Sequence, residues 1–272
     1  MLKKILFEYW VVFRWVVRRL FSYTKTSAVS KEEYETKWDK GRGFLIGHPE
    51  LYVRGGKLVL LRHLERSRAV VGRIHAELQK VDPQEVLEVG MGMGQNVIAL
   101  ALLNNDGTRS VRFQGIDLTD AGIRESAALL KDVPADVFTV ITGLSAEEIA
   151  RRTPLIQNAV TFTKRDMTDT GFPDATFDFV YSHIAIEQLP RNYGKAFTEI
   201  CRILRPKGRG FFVEEFAEAQ DSFLRMITIW AQDYFHASYT ELPKFGFKVL
   251  NYEPAEYQKF RLGTGYLLVE KR

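Results

Sequence analysis

One run constrains this chain more than any other: Val86-Leu87-Glu88-Val89-Gly90-Met91-Gly92-Met93-Gly94, with a helix-like stretch directly behind it. The apolar first half reads as a strand, and the glycines that follow stand at alternate positions. Glycine lacks a Cβ, so it takes positive φ in a tight strand-to-helix turn and lets a ligand lie directly on the backbone. The run therefore marks the entrance of an α/β fold and a nucleotide-type cofactor site. Turns that hold a dinucleotide pyrophosphate read G-x-G-x-x-G. Here the order is G-x-G-x-G, with Glu88 two residues ahead, and a carboxylate at a strand end suits a cationic ligand better than a pyrophosphate.

The next elements narrow the ligand. A helical pattern over residues 96–103 leads to Val111-Arg112-Phe113-Gln114-Gly115-Ile116-Asp117, which alternates like a strand and ends in an acid. An acid about 20 residues beyond a glycine turn can accept both hydrogen bonds of a ribose diol, in NAD or in S-adenosylmethionine. The plainer reading of Asp117 is a cap for the helix that starts near Thr119. A third strand-like run, residues 160–167, closes on Asp166 and Met167. A turn then leads into another strand, Phe177-Asp178-Phe179-Val180. The run over residues 199–210 ends a helix at a Pro and Gly turn, Pro206-Lys207-Gly208, ahead of a strand over residues 211–215.

With these four motifs in order, residues 57–272 resemble the class I S-adenosylmethionine-dependent methyltransferases. The family's E/D-x-G-x-G-x-G is matched by Glu88, Gly90, Gly92 and Gly94. Its acid after the second strand is matched by Asp117, and the acid that usually bonds the adenine amino group by Asp166, with Met167 beside the ring. The family's L-K-P-G-G turn is written Leu204-Arg205-Pro206-Lys207-Gly208, a lysine standing where the first glycine is usual. The resemblance implies S-adenosyl-L-methionine as cofactor and adds Met91, Asn96, Leu118 and Ser182 to the residues expected to touch it. It also implies an α/β fold: a seven-stranded, Rossmann-like, doubly wound sheet with ligands outside the carboxyl ends of its parallel strands. The strands over residues 247–250 and 265–270 are expected to form its C-terminal antiparallel hairpin. Between residues 131 and 160 the chain is longer than that fold needs. The capping box Ser145-Ala146-Glu147-Glu148 predicts an extra short helix there, for packing more than for substrate.

A sulfonium donor is already activated, so the rate of methyl transfer comes from in-line placement, exclusion of water and, for some acceptors, removal of a proton. The catalytic candidates follow the fourth strand, in Tyr181-Ser182-His183-Ile184-Ala185-Ile186-Glu187. His183, with an ordinary pKa near 6.5, is either a base or a loop- or cofactor-orienting ring. Glu187 either orients the acceptor or is a solvated residue at a helix start. No metal-ligand cluster stands out. The single Cys201 excludes an internal disulfide and a cysteine zinc cluster, and reads as a buried small hydrophobe.

Charge divides the chain unevenly. Residues 1–31 hold seven basic residues against Glu8, a net +6, whereas the remainder holds 31 basic and 33 acidic residues, a net −2. A general nucleic-acid groove over the catalytic fold is not indicated, and no Asn or Asp followed by Pro-Pro-Tyr, as in exocyclic-amine DNA methyltransferases, follows the fourth strand. On a helical projection of residues 1–22, cations gather on one half and Leu2, Ile5, Leu6, Tyr9, Val12, Phe13, Val16, Val17 and Leu20 on the other. Glu8 and Arg14 make a membrane span costly, so the segment is expected to lie in a membrane interface. The alternatives are a lid over the cofactor or a homodimer helix.

Three regions follow: an amphipathic basic helical extension over 1–30, a cover segment over 31–56 containing Tyr34 and Trp38, and the catalytic domain over 57–272. His48, Tyr52 and Arg54 are read as a loop at the acceptor entrance, and an aromatic helix is expected over residues 223–235. The expected function is methylation of O, N or C on a small-molecule or lipid-like acceptor by a cytoplasmic enzyme with peripheral membrane contact. The alternative is a cofactor-binding, non-methylating protein or scaffold on the same fold.

Overall fold

The computed structural model describes residues 35–36, 50–54, 57–189, 192–216, 239–255 and 263–272. The predicted helices over residues 1–22 and 223–235, and the residues Tyr34, Trp38 and His48, lie outside these. The described chain opens with two antiparallel strands, β1 (Glu50–Arg54) and β2 (Lys57–Leu61), in a sheet of their own. Tyr52 and Arg54 are thus in a strand, where a loop was expected. Leu51 to Val53 lie between two glycine-containing stretches, and the β-branched and aromatic pair Tyr52-Val53 favours extended backbone.

Helix α1 (His63–Val81) leads into β3 (Glu85–Val89), α2 (Gln95–Asn104), β4 (Arg112–Asp117), α3 (Asp120–Lys131), α4 (Ala135–Thr142), α5 (Ala146–Gln157) and β5 (Val160–Lys164). Then follow β6 (Phe177–His183), a short 3-10 turn (Ile186–Gln188), α6 (Tyr193–Ile203) and β7 (Leu204–Phe216). A second 3-10 segment (Tyr239–Phe245), β8 (Phe247–Pro254) and β9 (Gly263–Lys271) complete it. The seven strands β3 to β9 run in the order β5-β4-β3-β6-β7-β9-β8. The first five are parallel, β9 runs antiparallel to β7 and pairs antiparallel with β8, which is the doubly wound sheet with C-terminal hairpin that the motifs predict.

Strand alternation decides which side chains meet. Val86, Phe179, Tyr181, Phe211 and Val213 belong to one core, shared with α1, α2, α4 and α5. Leu87, Val89, Val180 and Phe212 belong to the other, shared with α6 and the second 3-10 segment. By the same period of two, Glu88 and His183 stand on the α1–α2 side of the sheet, and Ser182 and Glu214 on the α6 side. Helix α2 is buried all round because α1, α3, α4 and α5 pack around it, and its middle, Val97 to Leu103, is wholly apolar.

The insertion between α3 and β5 contains two helices where one was predicted. The capping box forms as read: Ser145 Oγ accepts from Glu148 N at 3.2 Å and Glu148 accepts from Ser145 N at 3.1 Å. The additional helix α4 starts behind Pro134 and stops at Gly143 (φ 78). Its Val137, Phe138 and Ile141 are buried against α1 and α2, so the insertion thickens a core. Cys201 is half-buried, and burial raises its thiol pKa, which disfavours the reactive thiolate. No helix among the described residues is long and apolar enough to cross a membrane.

Candidate active site

The glycine turn after β3 adopts the backbone that its sequence demands: Gly90, Gly92 and Gly94 have φ of 70, 56 and 69 degrees. Gly90 N and Met91 N donate to Ile116 O at 2.9 and 3.0 Å, tying the turn to β4. A Cβ on Gly90 would collide with Ala185 Cβ and come within 3.0 Å of Met167 Cε. The turn, the end of β5 and the loop after β6 therefore meet over one backbone position.

Asp117, at the end of β4, does two things at once. Its Oδ2 accepts from Gly92 N at 2.9 Å, while Oδ1 accepts from Thr119 N at 2.9 Å and Thr119 Oγ1 at 2.6 Å. Thr119 in turn caps α3, accepting from Gly122 N. The helix cap is therefore Thr119 and not Asp117, which instead braces Thr119 and the glycine turn and keeps about one acceptor position for a ligand. Burial raises its pKa despite those bonds, and Glu35 nearby adds to the rise. Leu118 beside it is 46% exposed, a large apolar side chain left open at the rim. Across the turn, Asp166 is exposed and accepts from Thr168 N and Oγ1, each at 2.8 Å, and Met167 is half-buried.

Glu88 is almost fully buried on the α1–α2 side. Its Oε1 accepts from Asn96 Nδ2 at 3.1 Å and its Oε2 from Tyr181 OH at 3.1 Å. Desolvation outweighs both bonds and lifts the carboxyl pKa to about 8. The same Asn96 Nδ2 reaches His183 Nδ1 at 3.3 Å, so the acid of the glycine motif is linked through one amide to the histidine at the end of β6. As that amide is placed, Nδ1 accepts and the proton of the neutral ring sits on Nε2. Asn96 Oδ1 is buried with no hydrogen-bond partner.

Sequence reasoning singled out neither Tyr181 as Glu88's donor nor Glu214. The only signal for Glu214 is its place: an acid at the carboxyl end of an apolar strand, as Glu88 and Asp117 are. Fully buried on the α6 side, it accepts from Ser182 Oγ at 2.5 Å, Ala185 N at 3.0 Å and Glu187 N at 3.2 Å. A longer bond comes from Ile186 N at 3.3 Å. Burial raises its pKa to about 7 against these four donors. Ser182 therefore faces the α6 side and Glu214. Glu187 is not a solvated residue: it is 4% exposed, because the 3-10 turn folds it inward, and Gln188 Nε2 donates to it at 2.9 Å. Beyond His183, Arg66, Val70, Ile184, Ala255, Thr264 and Tyr266 line a small cavity of about 10 Å³, room for about one water. Its wall Tyr266 stacks on Phe211 and lies under Arg73.

These residues fit S-adenosylmethionine. The orphaned Asn96 Oδ1 and the buried carboxyl of Glu88 suit the ammonium of an amino-acid tail, and the lack of a Cβ at Gly90 lets the loop after β6 close against the turn. Asp117 retains acceptor capacity for a ribose, and Leu118 and Met167 supply apolar flanks for a ring.

Comparison with known proteins agrees. Residues 87–212 match the model of a methyltransferase domain family. A ubiquinone/menaquinone biosynthesis C-methyltransferase, UbiE, from Rickettsia massiliae is 28% identical over 173 residues, covering 63% of this chain and 58% of that protein. Its namesake from Rickettsia rickettsii is 29% identical over 140 residues, 52% of this chain and 47% of that protein. The chain thus spans about half the length of the curated relatives it matches. Among solved structures, the [4+2]-cyclase SpnF has a TM-score of 0.59 at 15% identity, covering 91% of this chain and 97% of its own. A SAM-dependent methyltransferase from Methanosarcina mazei has a TM-score of 0.54 at 17% identity, covering 73% and 96%. At such identities these two speak for the fold alone.

Proposed function

Because this chain carries the domain of the class I S-adenosylmethionine-dependent methyltransferases, we propose that it transfers the donor's methyl group to a small-molecule or lipid-like acceptor held beside His183. The observation that carries this reading is the link Glu88–Asn96–His183, which joins the donor's expected edge to the small cavity bounded by Arg66, Val70, Ile184 and Tyr266. The donor supplies a methyl group already activated on a sulfonium. What this chain adds is placement. Glu88 and Asn96 hold the ammonium end, Asp117 the ribose, and Asp166, Leu118 and Met167 the adenine. Val70, Ile184, Ala255 and Tyr266 keep water from the transfer line. His183, fixed through Nδ1, presents Nε2 to the acceptor. It donates a hydrogen bond from that nitrogen in the tautomer described, and accepts the acceptor's proton there when the Asn96 amide is turned to offer Oδ1.

The curated relatives act, by name, in C-methylation during ubiquinone and menaquinone biosynthesis, which supports an apolar ring acceptor for this chain too. Binding of S-adenosylhomocysteine followed by assay against reduced short-chain quinones and a lipid extract tests the reading. Replacing His183 by Ala is expected to lower turnover at least about tenfold while donor affinity stays within about threefold. Comparable losses in both would remove His183 from the transfer step. The second reading is a fold that binds the cofactor without transferring methyl. A product of unchanged mass would favour it.

A further inference from the structure

The loop after β6 is built around a group that the transfer chemistry does not use. Glu214 stands one residue beyond Val213, whose carbonyl accepts from Ile184 N at 2.8 Å. Its own carboxylate, on the opposite face of the sheet from His183, collects Ser182 Oγ and the three successive N–H groups of Ala185, Ile186 and Glu187. These amides open the 3-10 turn Ile186–Gln188 and have no earlier carbonyl to meet. Between Ser182 and these amides lies Ile184 at φ 52, a left-handed backbone that a β-branched residue adopts only when its surroundings impose it. The loop is therefore held against its local preference by the bonds on either side of Ile184.

Both partners of the proposed reaction depend on where this loop sits. His183 is at its start. Ala185, two residues on, rests against Gly90 so closely that no side chain fits between them.

We propose that Glu214 is a positioning residue: its buried carboxylate clamps residues 182–187 so that His183, on the acceptor side, and Ala185, on the glycine turn, keep fixed places relative to each other. The clamp itself is a matter of geometry; what it positions rests on the methyl-transfer reading above. A carboxylate suits the task because it accepts four hydrogen bonds, whereas an amide of the same shape offers one acceptor oxygen and turns its NH₂ towards backbone donors.

The test uses the full chain, isotope-labelled, with S-adenosylhomocysteine as the probe of the donor site, and compares wild type with Glu214→Gln and Glu214→Asp. The expected result is that Glu214→Gln speeds amide exchange at Ala185, Ile186 and Glu187 at least about tenfold while β3 and β4 amides keep their wild-type rates. The NMR titration midpoint of the His183 ring is expected to move as well, and Glu214→Asp, which keeps the charge, to restore part of both. Unchanged loop exchange with an unchanged His183 midpoint would overturn the proposal. So would faster exchange spread equally over loop and sheet, the mark of a merely structural residue. If Glu214→Gln does not fold, Ser182→Ala removes one of the four donors. A smaller shift of the His183 midpoint then supports the clamp, and none overturns it. Wild type that fails to bind S-adenosylhomocysteine would count against the donor-site reading, while the exchange data still decide the clamp.

Discussion

Glu88 shows how one buried side chain ties chemistry to stability. In the unfolded chain its carboxyl titrates in the ordinary range near 4.5, but in the folded protein burial moves it to about 8. Between those values the folded state holds a proton that the unfolded state has released, so stability falls as pH rises, by at most about 1.4 kcal/mol per pH unit for each such group. Glu214, raised to about 7, adds to this slope in the lower part of the window. His75, whose pKa burial lowers, acts in the opposite sense, but only below its unfolded value of 6.5. Between about pH 7 and 8, Glu88 therefore dominates among these three. The melting temperature of the ligand-free protein is expected to fall across that interval, and Glu88→Gln to flatten the fall. An equal slope in the variant would show that Glu88 is not the group responsible. An ammonium bound at this carboxyl would favour its charged form, so donor binding is expected to release protons in the same pH range.

Among the elements, the turn that opens β7 carries a departure with a measurable consequence. Lys207 stands where the related turn has glycine, and it adopts φ 63. A side chain in the left-handed region costs about 1 kcal/mol. Lys207→Gly is therefore expected to stabilise the fold by about 0.5 kcal/mol and raise the melting temperature by roughly 1–2 °C. A lower melting temperature would show that the lysine makes compensating contacts. The same scale shows what could be read beforehand. Strands β3, β4 and β6 and the turn at Gly90 were legible because apolar alternation and glycine spacing are local properties. So was the capping box of α5, whose donors and acceptors lie three residues apart. Helix α4 was not, since its apolar residues find their reason in α1 and α2, and Tyr52 and Arg54 needed a pairing partner to become a strand. The carboxyl edge of the sheet was legible in part, Glu88 and Asp117 each standing at the end of its own strand, while Asp166 falls two residues past the end of β5. Glu214 escaped because its four donors come from another strand and the loop behind it, and nothing local to β7 distinguishes it from the neighbouring Glu215.

Across the whole molecule, the candidate site and the excess of positive charge fall in different parts of the sequence. The described sheet gathers Glu88, Asp117, His183 and Glu214 at its carboxyl edge, where the parallel strands end and a donor and an acceptor can meet. The excess positive charge lies elsewhere, in residues 1–31. Their basic and aromatic helical pattern supports the proposal that this segment brings the enzyme to a membrane surface where lipid-like acceptors reside. Full-length protein is then expected to co-sediment with anionic vesicles and to lose that binding, along with its salt sensitivity, when residues 1–22 are removed. Unchanged sedimentation of the shortened chain would defeat the proposal and leave the segment as a lid or a dimer helix. The central claim is methyl transfer itself. It is tested most directly by incubating the protein with S-adenosylmethionine labelled in its methyl group and an acceptor extract, then measuring S-adenosylhomocysteine and product mass together. The account predicts one S-adenosylhomocysteine for each product molecule that carries the label and one added CH₂; a product formed without that gain, or a donor left intact, would contradict it.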